Sequence, residues 1–327
     1  MKTARLLTAL SVSAVMLFTG CSTESAGTTD ANKDRDWGEC TPAGDSQPLD
    51  EVETAEDEDK SVTVAAFNGW DETIATAHLA KYLLENNYDY SVEVKMFDLA
   101  PGFVATANGD VDWMSSSMLP VTHAKYIEKY QNKLEEQGCW YDEAQNVIAV
   151  NEDAPITKLS ELKDHKDDFG GEIVGIEKGS GLMDATENDV IPEYGLDDFN
   201  LISSSTPAML AALSKAESSG DNIAVTLWHP HWAYNEFDVR DLEDDLGAFG
   251  DPDFLYSFSR VGFTDEHPQA AQALKNLALT PERLQSLEKV MAKDYDGKEP
   301  QKAVDEWAQD NQDFFDEWQS GDLSTDS

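Results

Sequence analysis

The chain has 327 residues, 40% of them hydrophobic and 9% aromatic, the composition of a folded body rather than a disordered chain. Its 65 acidic against 23 basic residues leave a net charge of −42, a field that repels phosphate and excludes nucleic acid or a basic lipid-docking patch. The acidity runs the whole length, as expected of a protein exposed to high salt; an ordinary acidic secreted protein is the plainer alternative.

At the N-terminus, Lys2 and Arg5 precede an apolar run over 6–18, too short to span a bilayer but suited to a signal peptide. Leu17-Phe18-Thr19-Gly20-Cys21 reads as a lipobox, with residues 1–20 removed and Cys21 lipidated; plain secretion with an ordinary thiol at Cys21 is the alternative. Cys40 and Cys139 then remain, and in an oxidising compartment they are candidates for a disulfide that clips the start of the mature chain to the body. Residues 21–60, rich in Ser, Thr, Asp, Glu and Gly, are expected to form a disordered acidic tether behind the lipidated cysteine.

From Ser61 onward, strand and helix patterns alternate. A strand over 62–67 leads through Asn68-Gly69-Trp70 to Asp71, the expected N-cap of a helix carrying Ile74, His78, Leu79, Tyr82 and Leu83. A strand over 91–97, a helix over 102–108, a strand over 111–114, a helix over 123–137 and a strand over 146–150 follow. A second series begins near Pro155: a strand over 173–176 that runs into Gly179-Ser180-Gly181 and a helix, a helix capped by Thr206 with Pro207 inside it, and an apolar strand over 223–228. After about residue 258 the chain is expected to be mostly helical, with starts at Pro268, Pro281 and Pro300. This is an α/β pattern in two lobes, residues 61–150 plus 255–320 forming lobe 1 and 151–254 lobe 2.

The chain carries no G-x-S-x-G, Walker loop, H-E-x-x-H or calcium-loop pattern, and Gly179-x-Gly181 lacks the rest of a dinucleotide fingerprint. His229 and His231 offer two nitrogens without a third ligand, so no metal or cofactor is expected. What does collect at the carboxyl ends of expected strands is Trp70, Trp228 and the Gly179-Ser180-Gly181 turn, whose free N–H groups favour an anion. Packing is the expected role of Trp232, Trp307 and Trp318.

Five segments in order carry a resemblance: Asn68-Gly69-Trp70-Asp71-Glu72, Asn108-Gly109-Asp110-Val111-Asp112, Leu119-Pro120-Val121-Thr122-His123, Gly179-Ser180-Gly181-Leu182-Met183 and Thr226-Leu227-Trp228-His229-Pro230-His231-Trp232. Together, over residues 61–318, the chain resembles the glycine betaine/proline betaine-binding proteins of ABC importers. The resemblance implies a two-lobed, type II periplasmic-binding-protein fold with a ligand cleft between the lobes, and no catalytic activity. It implies a lipid-anchored monomer on the extracytoplasmic face of the membrane. Its partners would be a small quaternary-ammonium or zwitterionic ligand and the permease and ATPase subunits of the importer.

Carried over by motif, Trp70 and Trp228 are two walls of an aromatic cage, and His123 with the N–H groups of Gly181 and Leu182 meets a carboxylate. The family's third tryptophan is here Met118, whose thioether lacks the ring quadrupole. Either affinity is lower, or Trp113, Phe103 or Trp140 closes the gap, or the ligand differs, with choline, carnitine, proline betaine and ectoine-like solutes all in view. Choline ranks below the betaines because it lacks the carboxylate. From other classes, an enzyme acting on a small zwitterion with His123 or His231 as general base, or a sensor lobe without transport, remain alternatives.

Overall fold

The apolar run after Ser61 forms β1 (Ser61–Phe67), which pairs in parallel with β2 (Ser91–Phe97) from Ser61 opposite Ser91 to Phe67 opposite Phe97. Between them lies α1 (Asp71–Asn87), which lays Leu79, Ala80, Leu83 and Leu84 against the sheet. The structure, a computed structural model, describes residues 35–55 and 59–325, so the expected signal peptide and Cys21 lie outside the described residues.

After α2 (Leu99–Asn108), strand β3 (Trp113–Leu119) joins β1 in parallel, with all seven residues buried. A turn and α3 (Ala124–Tyr130) lead to β4 (Leu134–Asn151), which serves two sheets. Residues from Leu134 to Ala144 pair antiparallel with β9 (Asp253–Arg260), which itself pairs with β3. From Gln145 to Val150, β4 pairs instead with β7 (Ala224–His229), which continues the second sheet through β5 (Glu172–Val174) to β6 (Asn200–Ile202). β8 (Val239–Asp241) lines the other edge of the β4 tail. The strand order is β2-β1-β3-β9-β4-β7-β5-β6, two α/β lobes joined where β4 and the start of β9 cross.

Several expectations are corrected by tertiary pairing. The helix expected over 123–137 stops at Tyr130, because residues from Leu134 are drawn into β4. There Glu135 accepts from the Gly262 N–H at 2.8 Å, and Gln137 donates to Ser259 and Thr264 at 2.8 Å each. β9 was not among the expected strands, although the chain after it is mostly helical as read. Trp70, not Asp71, occupies the cap position of α1, and Ser205, not Thr206, caps the Thr206–Ser219 helix through a bond from the Ala208 N–H. The proline starts are as read: helices begin at Pro268, Pro281 and Pro300, with the Thr280 side chain capping the second.

The tether expected through residue 60 also differs, because its described part is laid on lobe 1. Trp37 packs edge-on against Tyr256 at 5.3 Å, and Leu49 is fully buried. Gln47 accepts the Asn276 amide at 2.7 Å, and Cys40 is joined to Cys139 by a disulfide with Cα atoms 5.9 Å apart. Large aliphatics are scarce in this strap, but single anchors such as Leu49 suffice once a receiving surface exists.

Candidate binding cleft between the lobes

Trp70 leaves the end of β1 through Gly69, whose φ of +80° suits glycine, and stands at the head of α1. Thr73 fixes the turn: its hydroxyl accepts from the Phe67 N–H and donates to the Trp70 carbonyl, each at 2.9 Å. Trp228 comes from the opposite lobe at the end of β7, and the two indole centroids lie 6.4 Å apart at 55°. Both rings are at least nine-tenths buried.

His123 sits below Trp70, its ring parallel within 3° at a centroid distance of 5.9 Å. The Met118 N–H donates to its Nδ1 at 2.9 Å, so the proton of the neutral ring is on Nε2, available to donate. Burial holds the ring neutral, with its pKa lowered to about 3. The loop carrying it is tied down by Asp253, the first residue of β9, which accepts the Val121 N–H at 2.7 Å, the Thr122 N–H at 3.1 Å and the Thr122 hydroxyl. The Asn146 amide, on β4 just past the strand crossing, donates to the same hydroxyl at 2.7 Å.

Gly181 and Leu182 open a helix on the other lobe, capped by Ser180, whose hydroxyl accepts from the Met183 N–H at 3.2 Å. As first-turn residues, their own N–H groups have no partner within the helix. A side chain at Gly181 would drive its Cβ to 2.3 Å from Thr122 Cγ2, so this glycine is what lets the lobes meet here.

Trp70, Met118, His123, Gly181, Leu182 and Trp228 therefore line one pocket between the lobes. None of the rings weighed as a substitute for the third wall lines it. Trp113 and Trp140 are fully buried in the lobe 1 core, and Phe103 stacks on Tyr126 at 4.6 Å. The lining also includes Glu72, Thr122, Asn146 and Ile176, which sequence reasoning did not assign. Glu72 had a signal: with Thr76, Leu79 and Leu83 it keeps the helical spacing of a buried face, and it sits inside a quoted motif. Its carboxyl is raised to about 8 by burial first and by the neighbouring Asp71 charge, opposed by bonding to the backbone and to the Trp228 indole.

The pocket lining combines two indoles and a carboxyl with a neutral imidazole N–H and the first residues of a helix. His229 and His231 do not converge on a common ligand position: His229 bonds Asp241 at 2.7 Å, while His231 Nδ1 accepts the Ala233 N–H at 3.0 Å. Trp307 and Trp318 are core residues. Trp232 is half-buried and crosses between lobes, donating to Asp71 at 2.6 Å.

The family model described as the substrate binding domain of ABC-type glycine betaine transport systems matches residues 60–310. The chain belongs to that family. The glycine betaine/carnitine transport binding protein GbuC of Listeria monocytogenes is 37% identical over 164 residues, a match covering 48% of this chain and 53% of that protein, so about half the length of this relative is spanned. Among solved structures, lactococcal OpuAC in its closed form with glycine betaine superposes with a TM-score of 0.72 at 29% identity, over 80% of this chain and 99% of that one. An ABC-transporter choline-binding protein with choline superposes with a TM-score of 0.72 at 27% identity, over 82% and 94% of the two chains. The two-lobed architecture is that of these family members.

Proposed function

We propose that the chain is the extracytoplasmic receptor of an importer for a quaternary-ammonium compatible solute bearing a carboxylate, glycine betaine or a close relative. One observation carries the reading: a single pocket between the lobes is lined by two indoles and a carboxyl together with a neutral imidazole N–H and the opening residues of a helix. A methylated ammonium has no N–H to give, so ring faces and a negative group are the means of holding it. A carboxylate about one short linker away would meet Nε2 of His123 and the N–H groups of Gly181 and Leu182. Choline has no carboxylate for these donors and ranks below the betaines.

In this reading the ligand is released unchanged to permease and ATPase partners, without a cofactor, and the receptor acts as a lipid-anchored monomer held at Cys21 beyond an acidic tether. The lobes would be residues 61–150 plus 255–320 and 151–254, with the sheet change between Ala144 and Gln145 drawing the β4 tail into the second. Calorimetric titration with glycine betaine, proline betaine, carnitine, choline and ectoine tests the assignment. A betaine is expected to bind most tightly and to be recovered intact; tightest binding of choline, or turnover, overturns it.

A further inference from the structure

Behind the cage, three carboxyls of lobe 1 meet under one segment of lobe 2. Asp71 and Glu72 open α1, and Glu288 lies near the end of the Pro281–Lys289 helix. Covering them is the stretch from Trp228 to Glu236, which leaves β7 toward lobe 1. Glu72 is 4% exposed and Glu288 is not exposed at all. Among the described residues, Oε2 of Glu72 and both carboxyl oxygens of Glu288 have no hydrogen-bond partner. An ionised carboxylate in such a place carries a heavy desolvation cost, and a protonated one avoids most of it.

Among the described residues, the groups facing the cluster do not supply a cation. On Glu288 act the charges of Glu72 and Asp71, with the Trp232 backbone the one favourable neighbour. From β4 comes the Tyr141 hydroxyl, itself held protonated by burial and by acids that include Glu288. From lobe 2 come the Trp228 and Trp232 indoles and His231, kept neutral by burial with its pKa lowered to about 3. Lys293 lies over the Trp232 ring at 5.4 Å but pairs with Glu236 across the lobes.

We infer that Glu288, acting with Glu72, is a proton-accepting pair at the lobe junction, so that closure of the lobes over a ligand takes up a proton. The inference rests on the cleft being the ligand site, and on the same geometry. With the lobes apart, both carboxyls face water and ionise. With the lobes shut, a bound ammonium favours ionised Glu72, and the proton is left on Glu288, which touches no ligand. The sign follows. A carboxyl whose pKa is higher in the closed state favours closure fully below its open-state value, near 4 to 5 for a solvated carboxyl, and that contribution is lost as pH rises toward the closed-state value. Burial raises Asp71 to about 6 and Glu72 to about 8, and raises Glu288 with the charges of Glu72 and Asp71 adding to it; with Glu72 held ionised by the ammonium, Glu288 is the group that carries the proton.

The test is calorimetric titration with glycine betaine at pH 7.0, 7.5, 8.0 and 8.5, at fixed salt, in two buffers of different ionisation enthalpy. From pH 7.5 upward even a solvated imidazole, of pKa about 6.5, is about nine-tenths neutral, so carboxyl protons dominate the count there. We expect uptake of about one half to one proton per ligand and, in step with it, about a threefold to tenfold loss of affinity per pH unit, the ceiling for one proton being tenfold. Glu288→Gln, an isostere of the protonated acid, is expected to abolish the uptake and to hold affinity flat. Betaine binding in the wild type with no buffer dependence, or uptake unchanged in Glu288→Gln, overturns the proton linkage and leaves the ligand assignment standing. Failure of every betaine to bind at any pH overturns the assignment and this inference with it.

Discussion

A trimethylammonium group interacts with its receptor through field and contact alone, so each wall of the slot is separable by substitution. Trp70→Ala and Trp228→Ala each remove a desolvated ring face worth on the order of 1–2 kcal/mol, and calorimetry is expected to show betaine affinity about tenfold or more weaker. His123→Ala should weaken a carboxylate-bearing ligand more than choline, since the proposed pose gives its Nε2 proton to the carboxylate. Met118→Trp is expected to tighten the smallest quaternary ammonium most, because overpacking opposes the larger ones. At this scale the sequence was informative: motif order brought six residues to the pocket that they do line. Glu72 escaped because a carboxylate next to Asp71 on an acidic chain reads as solvated surface until the facing lobe is known.

At the scale of elements, the loop with His123 owes its place to Asp253. Asp253→Ala takes away the acceptor of two N–H groups and of the Thr122 hydroxyl. The expected result is a weaker betaine complex and a lower melting temperature together, whereas Asp253→Asn keeps part of both. The disulfide closes a loop of 99 residues, and Cys40→Ser with Cys139→Ser is expected to cost about 2–5 kcal/mol of stability, read by denaturant unfolding. The strap over Trp37 to Leu49 should then become cleavable by protease. These elements were hard to read because their cause is remote. β4 is a strand because β9 receives it, and the strap is ordered because the lobe 1 surface offers Tyr256 and Asn276. Parallel strands such as β1, apolar on both faces, needed no such context.

For the whole molecule, a charge of −42 on one fold sets an electrostatic self-repulsion that salt relieves. The melting temperature is expected to rise clearly between dilute buffer and molar KCl; a flat response would leave generic acidity and remove the case for salt adaptation. The lobes were legible as two β/α series, but not the contacts that hold them shut. Trp232, read as packing, donates to Asp71, and Asn235 donates to Gln285 at 2.8 Å nearby. Trp232→Phe, keeping the ring and losing the N–H, should therefore speed ligand release in stopped-flow without altering the slot. The Cys40–Cys139 bond has a mechanical consequence as well. It rivets the leading end of the chain to β4 on the lobe 1 side of the crossing, so any pull on that end is borne by lobe 1. Lobe 2 is joined to it only through β4 and the start of β9, so in any opening of the lobes lobe 2 is expected to be the arm that moves relative to that end. A dye on exposed Lys215 should sweep a wide arc relative to the chain's leading end, while one on Lys95 stays nearly still.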